Sequence, residues 1–296
     1  MPAGACLAGC TIFPEVIRMK AIRTTYHTHN IFCDGRMTPE DYVKSAIRKG
    51  FAAIGISSHA PVCFETEWTM KPEKLQEYLK TVAELKQKYQ GKIQVYTGLE
   101  TDYYLQGEDY RSYTGLDYTI GSVHFMHHSA TGRYLALDGT PAEFAQTRDL
   151  VFNGDTQALI EKYYHLMTEM VINQPPSIVG HLDILKKNNG GGCFFDESKT
   201  WYHQAVERCL DVIAQRQVVV EVNTGGIARG YTTEMYPSDW ILRLMREREI
   251  PVVLKSDAHH PDSIDAFYPE AVEKLKAAGY THQRVLLDNL WQDVQL

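Results

Sequence analysis

No stretch of this sequence is apolar for long enough to cross a bilayer. No Gly-rich nucleotide loop, low-complexity tract or solenoid-period repeat is present. The six cysteines (Cys6, Cys10, Cys33, Cys63, Cys193, Cys209) are scattered, and none forms a CxxC pair. That excludes a zinc ribbon and fits a reduced, cytoplasmic chain. A basic excess is missing too: the formal net charge is −7. This argues against general nucleic-acid binding. It leaves room for an anionic substrate, because bound divalent cations invert a local field.

The 296 residues, 44% hydrophobic and 23% charged, suit a soluble globular chain. Near the start, "LAGC" (7–10) resembles a lipoprotein cleavage box, but no basic residue precedes it and the apolar stretch is short. Met19 opens "MKAIRTTYHTH", a more natural first strand. Residues 1–19 are therefore expected to be an extension, disordered or from a misassigned start, and residues 20–296 one domain.

Short β-rich runs recur at 21–26, 51–57, 92–98, 116–122, 177–180, 217–223 and 250–256, with a further candidate at 284–288. Helical stretches lie between most of them. One opens with a Thr38 cap, Pro39 and Asp41, and stops at Gly50. Another carries Leu75, Tyr78, Leu79, Val82 and Leu85 on one stripe. Seven strands alternating with helices predict an α/β barrel-like closed sheet, with 186–200 as an internal loop.

Ionisable residues fall at equivalent places on that map. His27, His29 and Asp34 follow the first strand, His59 the second, Glu100 the third and His124 the fourth. His181 ends the fifth, and Asp257 and His259 follow the seventh. In a parallel barrel those carboxyl ends open on one face, where active sites are built. A single histidine there is ordinarily a cap or a loop residue. Nine potential ligands on six strand ends are a costly concentration of polar groups unless metal coordinates them. In His27-x-His29 both side chains point to one side of a strand, and Asp257-x-His259 repeats that spacing. Imidazole and carboxylate without cysteine suit catalytic zinc, manganese or iron. Nine ligands imply two or three ions, with Glu100 a candidate bridge. Three carboxylates against three divalent ions leave the site positive, which suits a phosphate dianion better than a neutral amide.

The segments "HTH…D", "SSHAP", "GLETDY", "IGSVHF", "VGHLD" and "SDAHH" resemble, in order, the motifs of the PHP superfamily. Across residues 22–280 the chain is similar to its monofunctional histidinol-phosphate phosphatase branch, with "VEVNTGGIARGYTTEMYPS" the most specific stretch. The resemblance implies a distorted (β/α)7 barrel with the active site at the carboxyl ends of its strands and three divalent metals. One ion would sit on His27, His29, Glu100 and Asp257. A second would share Glu100 with His124 and His181, and a third would take Asp34, His59 and His259. Many members carry histidine where Asp34 stands. The implied reaction is hydrolysis of L-histidinol phosphate by a metal-bridging hydroxide, a step of histidine biosynthesis.

Arg229 is read as a phosphate clamp, catalytic and substrate-binding. Ser238, at a helix start, and Lys255, at a strand end, are read as further phosphate contacts. Each has a plainer alternative: an exposed loop arginine, a simple cap and a strand-end lysine. Asp183 is expected to support a ligand from behind, and Tyr103 and Tyr104 to line the pocket or pack. His127, His128, His165, His203, His260 and His282 are expected to stay outside the metal set. The partner implied is a small phosphate ester, with no nucleic acid and no membrane; a homo-oligomer is left open. Competing readings are a PHP enzyme for another phosphomonoester, nucleotide or phosphotyrosine, an amidohydrolase, and a non-catalytic PHP module.

Overall fold

The computed structural model describes residues 22–104 and 107–296. The expected N-terminal extension lies outside the described residues. Seven parallel strands form one sheet: β1 (Thr24–Thr25), β2 (Ala53–Ile56), β3 (Gln94–Asp102), β4 (Tyr118–Ser122), β7 (Ile178–Val179), β8 (Val219–Asn223) and β9 (Val252–Lys255). Their order in space is their order in sequence. Beyond β1 and β9 the chain ends meet, where Thr28 bridges Ala258 in parallel and His29 N–H donates to Ala258 O at 2.9 Å. The sheet is thus a nearly closed barrel, as expected, and all seven strand positions match their predicted runs.

The helices wrap the outside: α1 (Pro39–Arg48), α2 (Leu75–Lys88), α3 (Pro141–Phe152), α4 (Thr156–Asn173), α5 (Thr200–Arg216), the single turn α6 (Gly225–Ala228), α7 (Asp239–Glu247) and α8 (Tyr268–Ala277). Thr38 and Asp41 close the expected capping box on α1. In α2, Leu75, Tyr78, Val82 and Leu85 are buried, as their spacing requires. The sequence reading did not include α3, whose box is Thr140 with Glu143. Nor did it include the antiparallel pair β5 (Phe125–His128) and β6 (Arg133–Ala136). The segment read as a loop at 186–200 contains short 3-10 turns, at Ile184–Asn188 and Gly190–Gly192.

The expected extra strand is half of a hairpin, β10 (His282–Leu287) with β11 (Leu290–Gln295). It packs against Tyr26, Tyr96, Tyr118, Ile178, Val219 and Val253, which fill the barrel floor. Tyr26 OH donates to Leu286 O at 2.6 Å and accepts from Leu286 N–H at 3.0 Å. Low on β3 and β4 the inward residues Tyr96 and Tyr118 fill this apolar floor, and four residues further up the inward residues Glu100 and Ser122 face the opposite mouth. There the ligand residues gather.

Candidate metal centre

Glu100, at the upper end of β3, sits fully buried among five imidazoles. Its Oε2 lies 3.1 Å from His27 Nε2, 3.4 Å from His29 Nε2 and 3.0 Å from His59 Nδ1. Its Oε1 lies 2.9 Å from His181 Nε2 and 3.5 Å from His124 Nε2, and accepts from Ser122 Oγ at 2.9 Å. One carboxylate thus faces both halves of the cluster. Asp257 Oδ1 is 3.1 Å from His29 Nε2 and 3.7 Å from His27 Nε2. Asp34, on the rim, reaches His259 Nε2 at 3.1 Å, His29 Nδ1 at 3.5 Å and His59 Nε2 at 4.0 Å. All nine sequence-selected residues come together.

Local backbone explains two of these placements. Asp257 has φ of +47°, so the chain kinks there rather than continuing as a strand. The expected strand alternation of Asp257-x-His259 is corrected: a left-handed residue, uncommon outside glycine, aims both side chains inward. At Gly35 an added Cβ would lie 2.1 Å from the His29 carbonyl. Close approach, not left-handed backbone, demands glycine beside His29.

Three histidines are held from behind. His27 Nδ1 donates to Glu221 Oε2 at 2.8 Å, and His124 Nδ1 to Asp102 Oδ1 at 2.8 Å. With Nδ1–H turned to a carboxylate, each Nε2 faces the cluster, where metal would displace its proton. The third, His259, is held at Nδ1, which accepts from Arg229 Nη1 at 2.6 Å. Glu221 also accepts from the His181 N–H at 2.7 Å and from Asn223 Nδ2 at 2.7 Å. Neither Glu221 nor Asp102 was selected from sequence. The signal for Glu221 was an acidic residue inside the apolar run "QVVVEVN".

Charge follows contact. Burial alone would raise Glu100, yet the imidazoles of His59 and His27 hold it well below the usual carboxylate range. Burial also opposes ionisation of Asp257, which Arg229 and His27 keep low. Burial, opposed by Glu100, pushes His59 down to about 3. His124 goes the other way: against burial, the Asp102 and Asp138 carboxylates carry it up to about 10.

The donor set fits divalent metal. His29 Nε2 and His59 Nδ1 are buried without a hydrogen-bond partner, although carboxylate oxygens stand 3.1 and 3.0 Å away. Such atoms suit coordination better than hydrogen bonding. Ligand atoms cluster in three sets: His29, Asp34, His59 and His259; His27, His29 and Glu100; and His59, Glu100 and His124. The mouth is a cavity of 320 Å³ whose wall also includes Arg36, Trp68, Asp138, Lys187, Arg229 and Tyr231.

The expected substrate contacts divide. Arg229 stands on the wall, its Nη2 2.8 Å from Asp257 Oδ2 and its Nη1 2.9 Å from the Asp257 carbonyl. Ser238 does not face the cavity. It occupies the cap position of α7 without capping it, because its N–H and hydroxyl both donate to Asp183 Oδ2, at 2.8 and 2.7 Å. Asp183, expected behind a ligand, is engaged there with Ser238 and with Lys186 at 3.1 Å. Lys255 is corrected as well: it points into the barrel below the cluster, fully buried, its Nζ 3.4 Å from the Tyr26 ring centre and without a hydrogen bond. Tyr103 and Tyr104 line a separate cavity with Phe125 and Phe152.

No helix among the described residues is long and apolar enough to cross a membrane. The chain is 28% identical to the histidinol-phosphatase of Bacillus subtilis over 270 residues, covering 84% of this chain and 97% of that one. Its fold is similar to a Lactococcus lactis histidinol phosphate phosphatase complexed with zinc, L-histidinol and phosphate (TM-score 0.70, 21% identity, 91% of this chain and 98% of that one). It is likewise similar to HisK of Listeria monocytogenes (TM-score 0.72, 23% identity, 84% and 99%). The PHP domain model matches residues 25–225. With that match over most of the barrel and the histidine and carboxylate cluster at its mouth, the chain belongs to the PHP domain family.

Proposed function

We propose that this chain is a metal-dependent phosphomonoesterase that hydrolyses L-histidinol phosphate to L-histidinol and phosphate, a step that belongs to histidine biosynthesis. The observation that carries the reading is the Glu100 carboxylate, with one oxygen among His27, His29 and His59 and the other between His124 and His181. The curated Bacillus relative supports the substrate.

His27, His29, Glu100 and Asp257 would hold one divalent ion, Glu100, His124 and His181 a second, and Asp34, His59 and His259 a third. Zinc, manganese and iron all suit this donor set. Bound ions supply positive charge for the phosphate oxygens and lower the pKa of water. The chain's own residues do the rest. Glu221 and Asp102 fix the His27 and His124 rings. Arg229 holds Asp257 ionised and keeps a second Nη2 proton for a phosphate oxygen. Arg36 and Lys187 add positive charge on the wall that receives a dianion.

The test is a phosphatase assay across phosphoesters, with metal analysis on the same preparation. Histidinol phosphate should lead the panel in kcat/KM. A different ester in first place would move the assignment within the family, and amide hydrolysis without phosphatase activity would overturn it.

A further inference from the structure

Five of the six ligand imidazoles (His27, His29, His124, His181 and His259) have a hydrogen-bond partner at a ring nitrogen. Among the described residues His59 is the exception. Its Nδ1 is buried without a hydrogen-bond partner, and its Nε2 lies 4.0 Å from Asp34 Oδ1, beyond hydrogen-bond reach. Such a ring is free to turn about its side-chain bonds unless packing stops it.

Trp68 supplies that packing. Its ring centre is 4.5 Å from that of His59, with the planes at 69°. The same indole meets His124 at 5.4 Å and 82°. It lies flat on Phe125, 5.0 Å away at 6°, and Phe125 is buried and follows His124 in the chain. The loop that carries Trp68 is tied back to the same ligand: Met70 N–H donates to the His59 carbonyl at 3.3 Å, and Thr69 N–H donates to Thr66 Oγ1 at 3.1 Å. His59 also meets His29, at 4.3 Å, but that ring is itself a ligand. We propose that Trp68 is a positioning residue of the metal centre, a braced aromatic face that fixes His59 and His124. This deepens the metal-dependent reading and rests on it. His59 and His124 are assigned to different ions, so one side chain steadies ligands on both sides of Glu100. Ring packing is individually modest, so its loss should fall at the lower end of what supports behind a ligand contribute.

The experiment compares W68L and W68F with wild type. Zinc affinity is read by competition with a chelator, and the gain in Tm on adding zinc is read on the same proteins. W68L should bind zinc about tenfold more weakly and gain less Tm from it, while W68F, which keeps an aromatic face against Phe125, should stay within about threefold of wild type. Comparing metal-loaded with metal-free protein removes any general loss of stability from the readout. A spectroscopic signature is available too. Trp201 and Trp240 pack around Tyr202, and Trp291 lies on the barrel floor by Tyr26, which leaves Trp68 as the indole at the cluster. Paramagnetic manganese should therefore quench a component of wild-type emission that W68F lacks. Wild-type zinc affinity in W68L overturns the proposal. So does a W68F as weak as W68L, because an aromatic face would then not be what holds His59. Equal quenching in wild type and W68F overturns it as well. None of these results touches the phosphatase reading, which falls separately if wild-type protein fails to cleave histidinol phosphate.

Discussion

Glu221 Oε2 lies 2.8 Å from His27 Nδ1, with both side chains fully buried in the barrel. Their charges depend on each other: burial lowers His27, and Glu221 followed by Glu100 lifts it well above its ordinary value. The pair holds the ring so that Nε2 faces Glu100. E221Q should weaken metal binding about 10–100-fold, as losses behind a ligand do. Metal titration with a competing chelator measures it. Unchanged affinity would show that His27 needs no such support.

Glu100→Gln should remove metal and activity together, because one carboxylate oxygen faces each half of the cluster. Phosphatase rate and metal content of the same sample provide the check. Full activity in a properly demetallated variant would refute the proposed chemistry.

Chelation should lower the Tm of the wild-type chain. Ligand saturated at about a thousand times its Kd stabilises by about 4 kcal/mol. Restoring zinc or manganese should recover the melting temperature. A Tm indifferent to metal would mean that the cluster is satisfied by its own hydrogen bonds.

Tyr26→Phe removes a hydroxyl that both donates to and accepts from Leu286 while keeping the ring beneath Lys255. The lost bonds should cost about 1–3 kcal/mol, a drop of several degrees in Tm. Metal affinity should hold, since the floor lies below the cluster. Thermal melts and metal titration of the variant together test this.

Glu40 gives a pH signature far from the site. Lys88 Nζ and Tyr89 OH both donate to its Oε1, at 2.8 and 2.7 Å, and hold its pKa down at about 2, from 4.5. A folded-state pKa below the unfolded one gives stability that is present above pH 4.5 and is lost as pH falls toward 2. The wild-type Tm should exceed that of E40Q near neutrality, and the gap should narrow between about pH 5 and about pH 3. A constant gap would count against it.

The barrel was legible because its strands are buried on both faces and read as short β-rich runs between capped helices. The cluster was legible because a parallel barrel brings all strand ends to one mouth, so position along the chain stood in for position in space. What escaped depended on side-chain direction. Lys255 and Ser238 occupy strand-end and helix-start positions that favour phosphate, but Lys255 points down onto Tyr26 and Ser238 turns to Asp183. Glu221 and Asp102 act through histidines distant in sequence, and only the folded chain supplies those contacts. The β5–β6 pair and α3 were missed between stronger signals, although Thr140 and Glu143 form a capping box readable in one dimension.

The seam between Thr28 and Ala258 also sets the order of events on the ribosome. His27 and His29 emerge early. Asp34 must wait for His259, 225 residues later. Adjacent strand–helix units can dock as they appear, but that seam is among the most non-local contacts in the molecule, and such contacts form slowly. A nascent chain arrested upstream of Asp257 would carry His27 and His29 without the Asp257 carboxylate that meets them. The intact ligand set is therefore a property of the finished barrel and of no fragment of it.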